Sequence, residues 1–193
     1  MVPCGLRAVR ADFEHYCRVH GAYTFLERCL LPLREPALLA LAVYRFGRWV
    51  HHGPGRRAVH YRIVYGILAQ LVRHITRVLL PCYSELAEET WIESHAPVFV
   101  GAVAGRGLRV YAGATVGAGT LGGVRGLPRI GEGVVIAPSA VISGPVRVPS
   151  DCVIGPNTVV SRTLTTSGGW LGIPAQPWAG PRAALAPAAE SEP

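Results

Sequence analysis

From residue 86 onward the chain returns an aliphatic side chain at every sixth position: Leu86, Ile92, Val98, Ala104, Val110 and Val116, then Ile130, Ile136, Ile142, Val148, Ile154 and Val160. A helix repeats its apolar face near every 3.6 residues and a strand every second one, so neither accounts for this spacing. A short flat strand that turns a corner every six residues does. Four residues after each aliphatic of the later series comes a second side chain of small or medium size, at Val134, Ala140, Val146, Cys152 and Thr158. One or two residues after each aliphatic come Gly131, Ala137 and Pro138, Ser143 and Gly144, Pro149 and Ser150, and Gly155 and Pro156, residue types that absorb a bend. Three such faces close one triangular coil, and stacked coils bury a continuous aliphatic column, the parallel β-helix solenoid. The step from Val116 to Ile130 breaks the series, and we count it as two repeats plus two extra residues falling in "GAGTLGGVRGLPR".

Residues 1 to 80 read as helices. In "ALLALAVYRFGRWVHH" the residues Leu39, Ala42, Val43, Phe46, Trp49 and Val50 follow helical spacing, with Arg45, Arg48 and His52 off that face. "HGPGRR" breaks the pattern, and a second amphipathic run, "YRIVYGILAQLVRHITRVLL", stops at Pro81. Core and oligomer packing is the expected use of both helices, ahead of membrane-surface binding. Residues 164 to 180 leave the repeat, and the tail from 181 to 193 has no apolar periodicity, which predicts disorder.

Half of the 193 residues are hydrophobic, enough to build a core without staples. The chain has no apolar run long enough to span a bilayer and no signal-peptide pattern at its start, so a cytoplasmic protein without a membrane span is expected. Five cysteines, Cys4, Cys17, Cys29, Cys82 and Cys152, show no metal-like spacing; they are expected to be reduced, with Cys152 structural. Charge is uneven: residues 1 to 80 hold 12 Arg against Asp12, Glu14, Glu27 and Glu35, and residues 81 to 193 hold 7 Arg against 8 acids. The arginines are scattered singly among apolar residues, which favours solvated helix faces over a nucleic-acid patch.

A helical segment followed by hexapeptide coils, a "TLGG" loop and a terminal "GIPA" resembles the serine O-acetyltransferase branch of the left-handed β-helix acyltransferases, over about residues 36 to 180. The resemblance implies the following organisation: a helical domain over residues 1–80; a left-handed parallel β-helix of hexapeptide repeats over 81–163, with a loop at 118–129; a C-terminal extension over 164–180; and the tail over 181–193. It also implies a homotrimer with active sites in clefts between neighbouring coils, and trimers that pair through the helical segment.

The resemblance implies acyl transfer from acetyl-CoA or another acyl-CoA, or from an acyl carrier protein, to a hydroxyl, with no tightly bound cofactor. The family's general base is a histidine in a segment like "LDHATGIVVG"; the matching "IESHAPVFVG" nominates His95. An imidazole, titrating near neutrality, suits that task. "TLGG" (Thr120, Gly122 and Gly123) matches the extended loop at the acceptor and coenzyme clefts. Ala140 and Gly155 match coils along the pantetheine channel, and Arg129 and Arg162 are candidates for the coenzyme phosphates. The solenoid holds a single histidine, against the three that hexapeptide carbonic anhydrases place on zinc, so no metal is expected.

Three positions depart from the family pattern. Ser94 stands where the family has an aspartate before the histidine, Gly126 and Leu127 stand where it has an Arg-His pair, and the orienting aspartate upstream falls near Leu79 and Leu80. Ser94, Glu93 and Arg125 are the candidates left for holding the acceptor. On these departures the expected acceptor is a sugar or natural-product hydroxyl and not free L-serine. Serine O-acetylation in cysteine biosynthesis is the alternative within the class, and a non-catalytic trimeric scaffold the alternative outside it.

Overall fold

The structure, a computed structural model, describes residues 6–21, 24–52, 59–93 and 96–180. Four helices come first: α1 (Leu6–Val19), α2 (Phe25–Arg34), α3 (Pro36–His52) and α4 (Val59–Thr76). Thr24 caps α2 in a capping box, its hydroxyl accepting from the Glu27 N–H while the Glu27 carboxylate accepts from the Thr24 N–H. Pro36 opens α3 at a position where its missing N–H costs nothing.

A three-sided prism of short parallel strands follows. Its first face carries Val78–Leu79, Val98–Val100, Thr115–Gly117, Val141–Ser143 and Val159–Val160; its second Glu85–Leu86, Val103–Ala104, Arg129–Ile130 and Arg147–Val148. Its third carries Trp91–Ile92, Arg109–Val110, Val135–Ile136, Cys152–Ile154, Gly168–Leu171 and, antiparallel at the end, Gln176–Trp178. The register stacks Leu86 on Ala104, Ile92 on Val110, Ile130 on Val148, Ile136 on Ile154 and Ile142 on Val160, one coil being 18 residues. All of these side chains are buried, most of them completely, and so are Val134, Ala140, Val146, Cys152 and Thr158 of the companion series. Cys152 also points its thiol at the Thr166 carbonyl, 3.6 Å away.

The register corrects two counts. Where the coil crosses the break, partners lie 26 residues apart (Val116 with Ile142, Ala104 with Ile130, Val110 with Ile136), eight more than a coil. The step from Val116 to Ile130 is therefore one repeat plus eight residues, and the excess folds outward as an antiparallel hairpin of Gly119–Leu121 and Val124–Gly126. On the first face it is Val100, not Val98, that stacks on Val116, while Val98 lies against Val78; the corner before Val100 is correspondingly long.

The corners also differ from expectation in detail. The left-handed backbone sits three residues after the inward aliphatic: Glu89, Gly107, Gly133 and Asp151 on one edge of the prism, and Gly113, Ser139 and Asn157 on the next. Non-glycine residues at four of these places show that the stacked corners hold the conformation against its intrinsic cost.

In α3 the buried side includes Ala37, Leu38, Ala40, Leu41, Tyr44, Arg45 and Arg48; of the expected face only Val50 is fully inside, and Leu39 is exposed. The expected face is thus rotated, and the two arginines taken for solvated are inside. The reason lies at the open end of the solenoid, where the first coil has no preceding coil to pair with. Arg45 donates to the carbonyls of Leu86 and Ala87 (2.6 Å each) and to the Asp12 carboxylate (2.9 Å), and Asp12 accepts from the Thr90 N–H (3.2 Å). The Tyr16 hydroxyl accepts from the Ile92 N–H and donates to the Ile92 carbonyl (2.9 and 2.8 Å). The Tyr44 hydroxyl accepts from the Leu86 N–H (3.1 Å) and donates to the Ser84 carbonyl (2.8 Å). Side chains of α1 and α3 so replace the missing coil, and an edge that would otherwise recruit another strand is closed.

The amphipathic run that was expected to reach Pro81 ends as a helix at Thr76, whose hydroxyl donates to the Val72 carbonyl and accepts from the Val78 N–H; Arg77 turns with φ 58° and Val78–Leu79 joins the first face. At the far end residues 164–180 leave the six-residue period but not the sheet, since Gly168–Leu171 adds a rung beside Cys152–Ile154 and lays Trp170 over Ile154. Cys4, the "HGPGRR" break beyond His52 and the tail 181–193 lie outside the described residues. Among those described, no helix is long and apolar enough to cross a membrane.

Candidate functional site

The candidate residues that the structure describes fall on two edges of the prism. The edge between the third and first faces stacks Glu93 and Pro97, then Tyr111–Ala114, Ala137–Ala140 and Gly155–Thr158, joined corner to corner by Gly113 N–H to Pro97 carbonyl, Ser139 N–H to Ala112 carbonyl and Asn157 N–H to Pro138 carbonyl (2.9, 2.8 and 3.1 Å). Glu93, Ala140 and Gly155 therefore share one column. Ser94 and His95 belong to the chain between Glu93 and Pro97 but lie outside the described residues.

Glu93 follows the strand Trp91–Ile92, and its carboxylate accepts from the Ala112 N–H at 2.7 Å, so one oxygen is committed to holding the corner of the next coil. Ala140 is fully buried; its N–H donates to the Ala137 carbonyl and its carbonyl accepts from Thr115. Gly155 donates to the Trp170 carbonyl and accepts from Thr158. These backbone groups are spent inside the coil. Any ligand lying along this edge meets them as a close wall, not as a row of open donors.

The other edge, between the first and second faces, carries the hairpin. Gly122 and Gly123 form its two-residue tip with φ of 55° and 80°, the conformation a tight primed turn demands, with open space where a Cβ would stand. Thr120 pairs with Arg125 across the hairpin, and both are exposed. At its base the hairpin is sewn to the following coil: a Cβ on Gly119 would strike Ser143 and Gly144, and one on Gly126 would stand 2.9 Å from Pro145. The glycines of "TLGG" thus serve the turn, and a rigid foot projects the exposed Leu121, Val124 and Arg125 away from the prism.

Beside this edge the molecule is cationic. Arg129 opens the strand after the hairpin, and Arg162 follows the last strand of the first face, its guanidinium donating to the Ala175 carbonyl at 3.2 Å. Arg147, absent from the sequence-based candidates, is the direct register partner of Arg129, on a strand roughly 4.8 Å away. Both are exposed, and among the described residues neither makes an ion pair with a carboxylate. Like charges facing each other on neighbouring strands are unfavourable unless an anion lies between them. The 18-residue coil was the signal that could have found Arg147, since it lies one coil after Arg129.

Comparison with known proteins gives three concordant results. The bacterial transferase hexapeptide (six repeats) family matches residues 128–162. The serine acetyltransferase of Mycobacterium tuberculosis is 28% identical over 152 residues, covering 74% of this chain and 66% of the relative. The chain thus spans slightly less than two thirds of that relative's length. Among solved structures, the Neisseria gonorrhoeae serine acetyltransferase in complex with serine superposes with a TM-score of 0.72 at 24% identity, over 90% of this chain and 68% of that one. A serine acetyltransferase in complex with CoA gives 0.69 at 19% identity, over 88% and 68%. Repeat, architecture and curated relative agree: the chain folds as a left-handed β-helix behind four helices, matches the bacterial transferase hexapeptide family over residues 128–162, and is similar over most of its length to the serine acetyltransferases.

Proposed function

We propose that the protein is an O-acetyltransferase of the serine acetyltransferase type, moving an acetyl group from acetyl-CoA to a hydroxyl, with L-serine as its acceptor. The observation that carries this is the match to a curated serine acetyltransferase over 74% of the chain, together with a fold shared over nine tenths of it. The departures at Ser94, Gly126 and Leu127 pointed to another acceptor; the relatives favour serine over a sugar or natural-product hydroxyl.

In this reading the His95 imidazole removes the proton from the serine hydroxyl as its oxygen attacks the thioester carbonyl carbon. The C–S bond then breaks, and the imidazolium returns the proton to the departing CoA sulfur. Arg129, Arg147 and Arg162 hold the coenzyme phosphates, and Ala140 and Gly155 wall the pantetheine arm. Arg125, projected by the hairpin, takes the acceptor carboxylate. Because Glu93 and Pro97, which flank the base in sequence, and the hairpin lie on different edges of one prism, the complete centre in this reading forms where the hairpin edge of one copy meets the Glu93–Pro97 edge of another, in a trimer.

The test is CoA thiol release with L-serine and, in parallel, a panel of sugar and alcohol acceptors. Serine-dependent release that falls by about a hundredfold or more in His95→Ala is expected. Release with a sugar but not with serine would return the acceptor to the first expectation. No release with any hydroxyl, and equal behaviour of His95→Ala and wild type, would remove the enzyme reading in favour of a scaffold.

A further inference from the structure

Helix α4 packs on α3 through a narrow stripe in which Tyr65 and Ala69 are half-buried and Val72 and Thr76 buried. Much of the rest of the helix is apolar too, with exposed His60, Gln70 and His74 set among the apolar side chains. Val59, Ile63, Ile67, Leu71 and Ile75 step about 40° at a time across the uncovered side, and they are 69, 57, 64, 55 and 62% exposed. Val64 and Leu68 fill the same arc, and Tyr61 stands at its margin. So large an unpartnered apolar arc requires an occupant.

The charge of the region selects it. Between Glu35 and Glu85 the chain has no aspartate or glutamate but seven arginines. Arg45 and Arg48 are buried, and Arg56 and Arg57 lie outside the described residues; Arg62, Arg73 and Arg77 are exposed. Arg62 and Arg73 are about 20° apart around the helix axis, together at one margin of the apolar arc. A second copy docked antiparallel by this face would bring these arginine margins together, with no carboxylate from α3 or α4 to answer them. An anionic bilayer answers both features: acyl chains accept the isoleucine and leucine stripe, and lipid phosphates accept the guanidinium groups at its margin. We infer that α4 is an interfacial helix that lays the protein on an anionic phospholipid surface without crossing it. This inference is independent of the acyl-transfer reading and of the residues assigned to it.

Sedimentation of the full chain with vesicles tests it, using phosphatidylcholine alone and phosphatidylcholine mixed equally with phosphatidylglycerol. Wild type is expected to pellet with the mixed vesicles at low salt and to be released by high salt. Arg62→Glu/Arg73→Glu should weaken that binding by at least about tenfold, and Ile63→Ser/Ile67→Ser should abolish it, each with an unchanged thermal midpoint because the replaced side chains are exposed. Wild type remaining in the supernatant with phosphatidylglycerol vesicles overturns the proposal. So does a smaller mass by light scattering for Ile63→Ser/Ile67→Ser with vesicle binding unaltered, since the face then belongs to a second copy.

Discussion

The solenoid and the helical cap satisfy the same backbone groups by opposite means. Inside the prism each coil's N–H and C=O meet the next coil's, rung after rung, and the far end is closed in the same currency by the strand Gly168–Leu171. At the near end Tyr16, Tyr44, Arg45 and Asp12 stand in for a coil with side-chain atoms. A ladder spreads its stability over many equivalent bonds, whereas the cap concentrates it in four residues. Single substitutions should therefore cost far more in the cap than their conservative size suggests, and little at solenoid corners.

The largest effect is expected at Arg45. Arg45→Met leaves the buried Asp12 without its charged partner and the Leu86 and Ala87 carbonyls without their donor, at a cost of about 3–5 kcal/mol by denaturant titration. Replacing both partners, Asp12→Leu with Arg45→Met, should recover part of that loss. Burial already holds the Asp12 carboxyl above its ordinary value, with Arg45 pulling the other way. Without Arg45 it rises further, so the folded variant keeps a proton that the unfolded chain releases. Its stability is then greatest below the ordinary carboxylate range and declines as pH rises through the new folded value. A deficit relative to wild type that does not grow from acid to neutral pH would break this account.

Next comes Tyr44→Phe, which strands the Leu86 N–H and the Ser84 carbonyl in the core and should cost about 1–3 kcal/mol. If it costs nothing, water or a neighbouring group closes the edge and the cap is less concentrated than the contacts indicate. Smaller, and of opposite sign, is Ser139→Gly at a corner with φ 59°. Removing the Cβ from a left-handed position gains about 1–2 kcal/mol and loses roughly half of that in chain entropy. A modest rise in thermal midpoint is expected, and a fall would mean that the hydroxyl, not the backbone, holds that corner.

The same contrast explains what was legible beforehand. The column from Leu86 to Val160 could be read because a six-residue period has one physical solution, and the buried Ile136, Ile142 and Ile154 confirm it residue by residue. The break was miscounted because the alternating residues of "GTLGGVRG" resemble repeat material; only the pairing of Val116 with Ile142 shows that eight residues leave the prism. The buried face of α3 was missed for a different reason. Apolar periodicity assigns arginine to solvent, and nothing in Arg45 or Arg48 announces an open coil whose carbonyls need donors. At the candidate site, the family resemblance suggested Ala140 and Gly155 but could not show that their backbone groups are consumed within the coil. Arg147, by contrast, was legible from the coil length and went unused.

The weakest link between the two halves sharpens the comparison from the other side. Glu89, on a solenoid corner, accepts from Arg106 of the next coil (2.8 and 3.0 Å) and from Arg18 of α1 (3.1 Å), an exposed counterpart to the buried Asp12–Arg45 pair. The hydrogen bond from Arg106 is the main force holding the Glu89 carboxyl below its ordinary value. A depressed folded value means the contribution is present above the ordinary carboxylate range and disappears as pH falls through the folded value. Both arginines are more than half exposed, so solvent screens the pair. Glu89→Gln should cost only a few tenths of a kcal/mol at neutral pH, and its difference from wild type should close at high salt and again below about pH 4. A difference as large as that at Arg45 would place the junction's stability on the surface instead of in the buried cap.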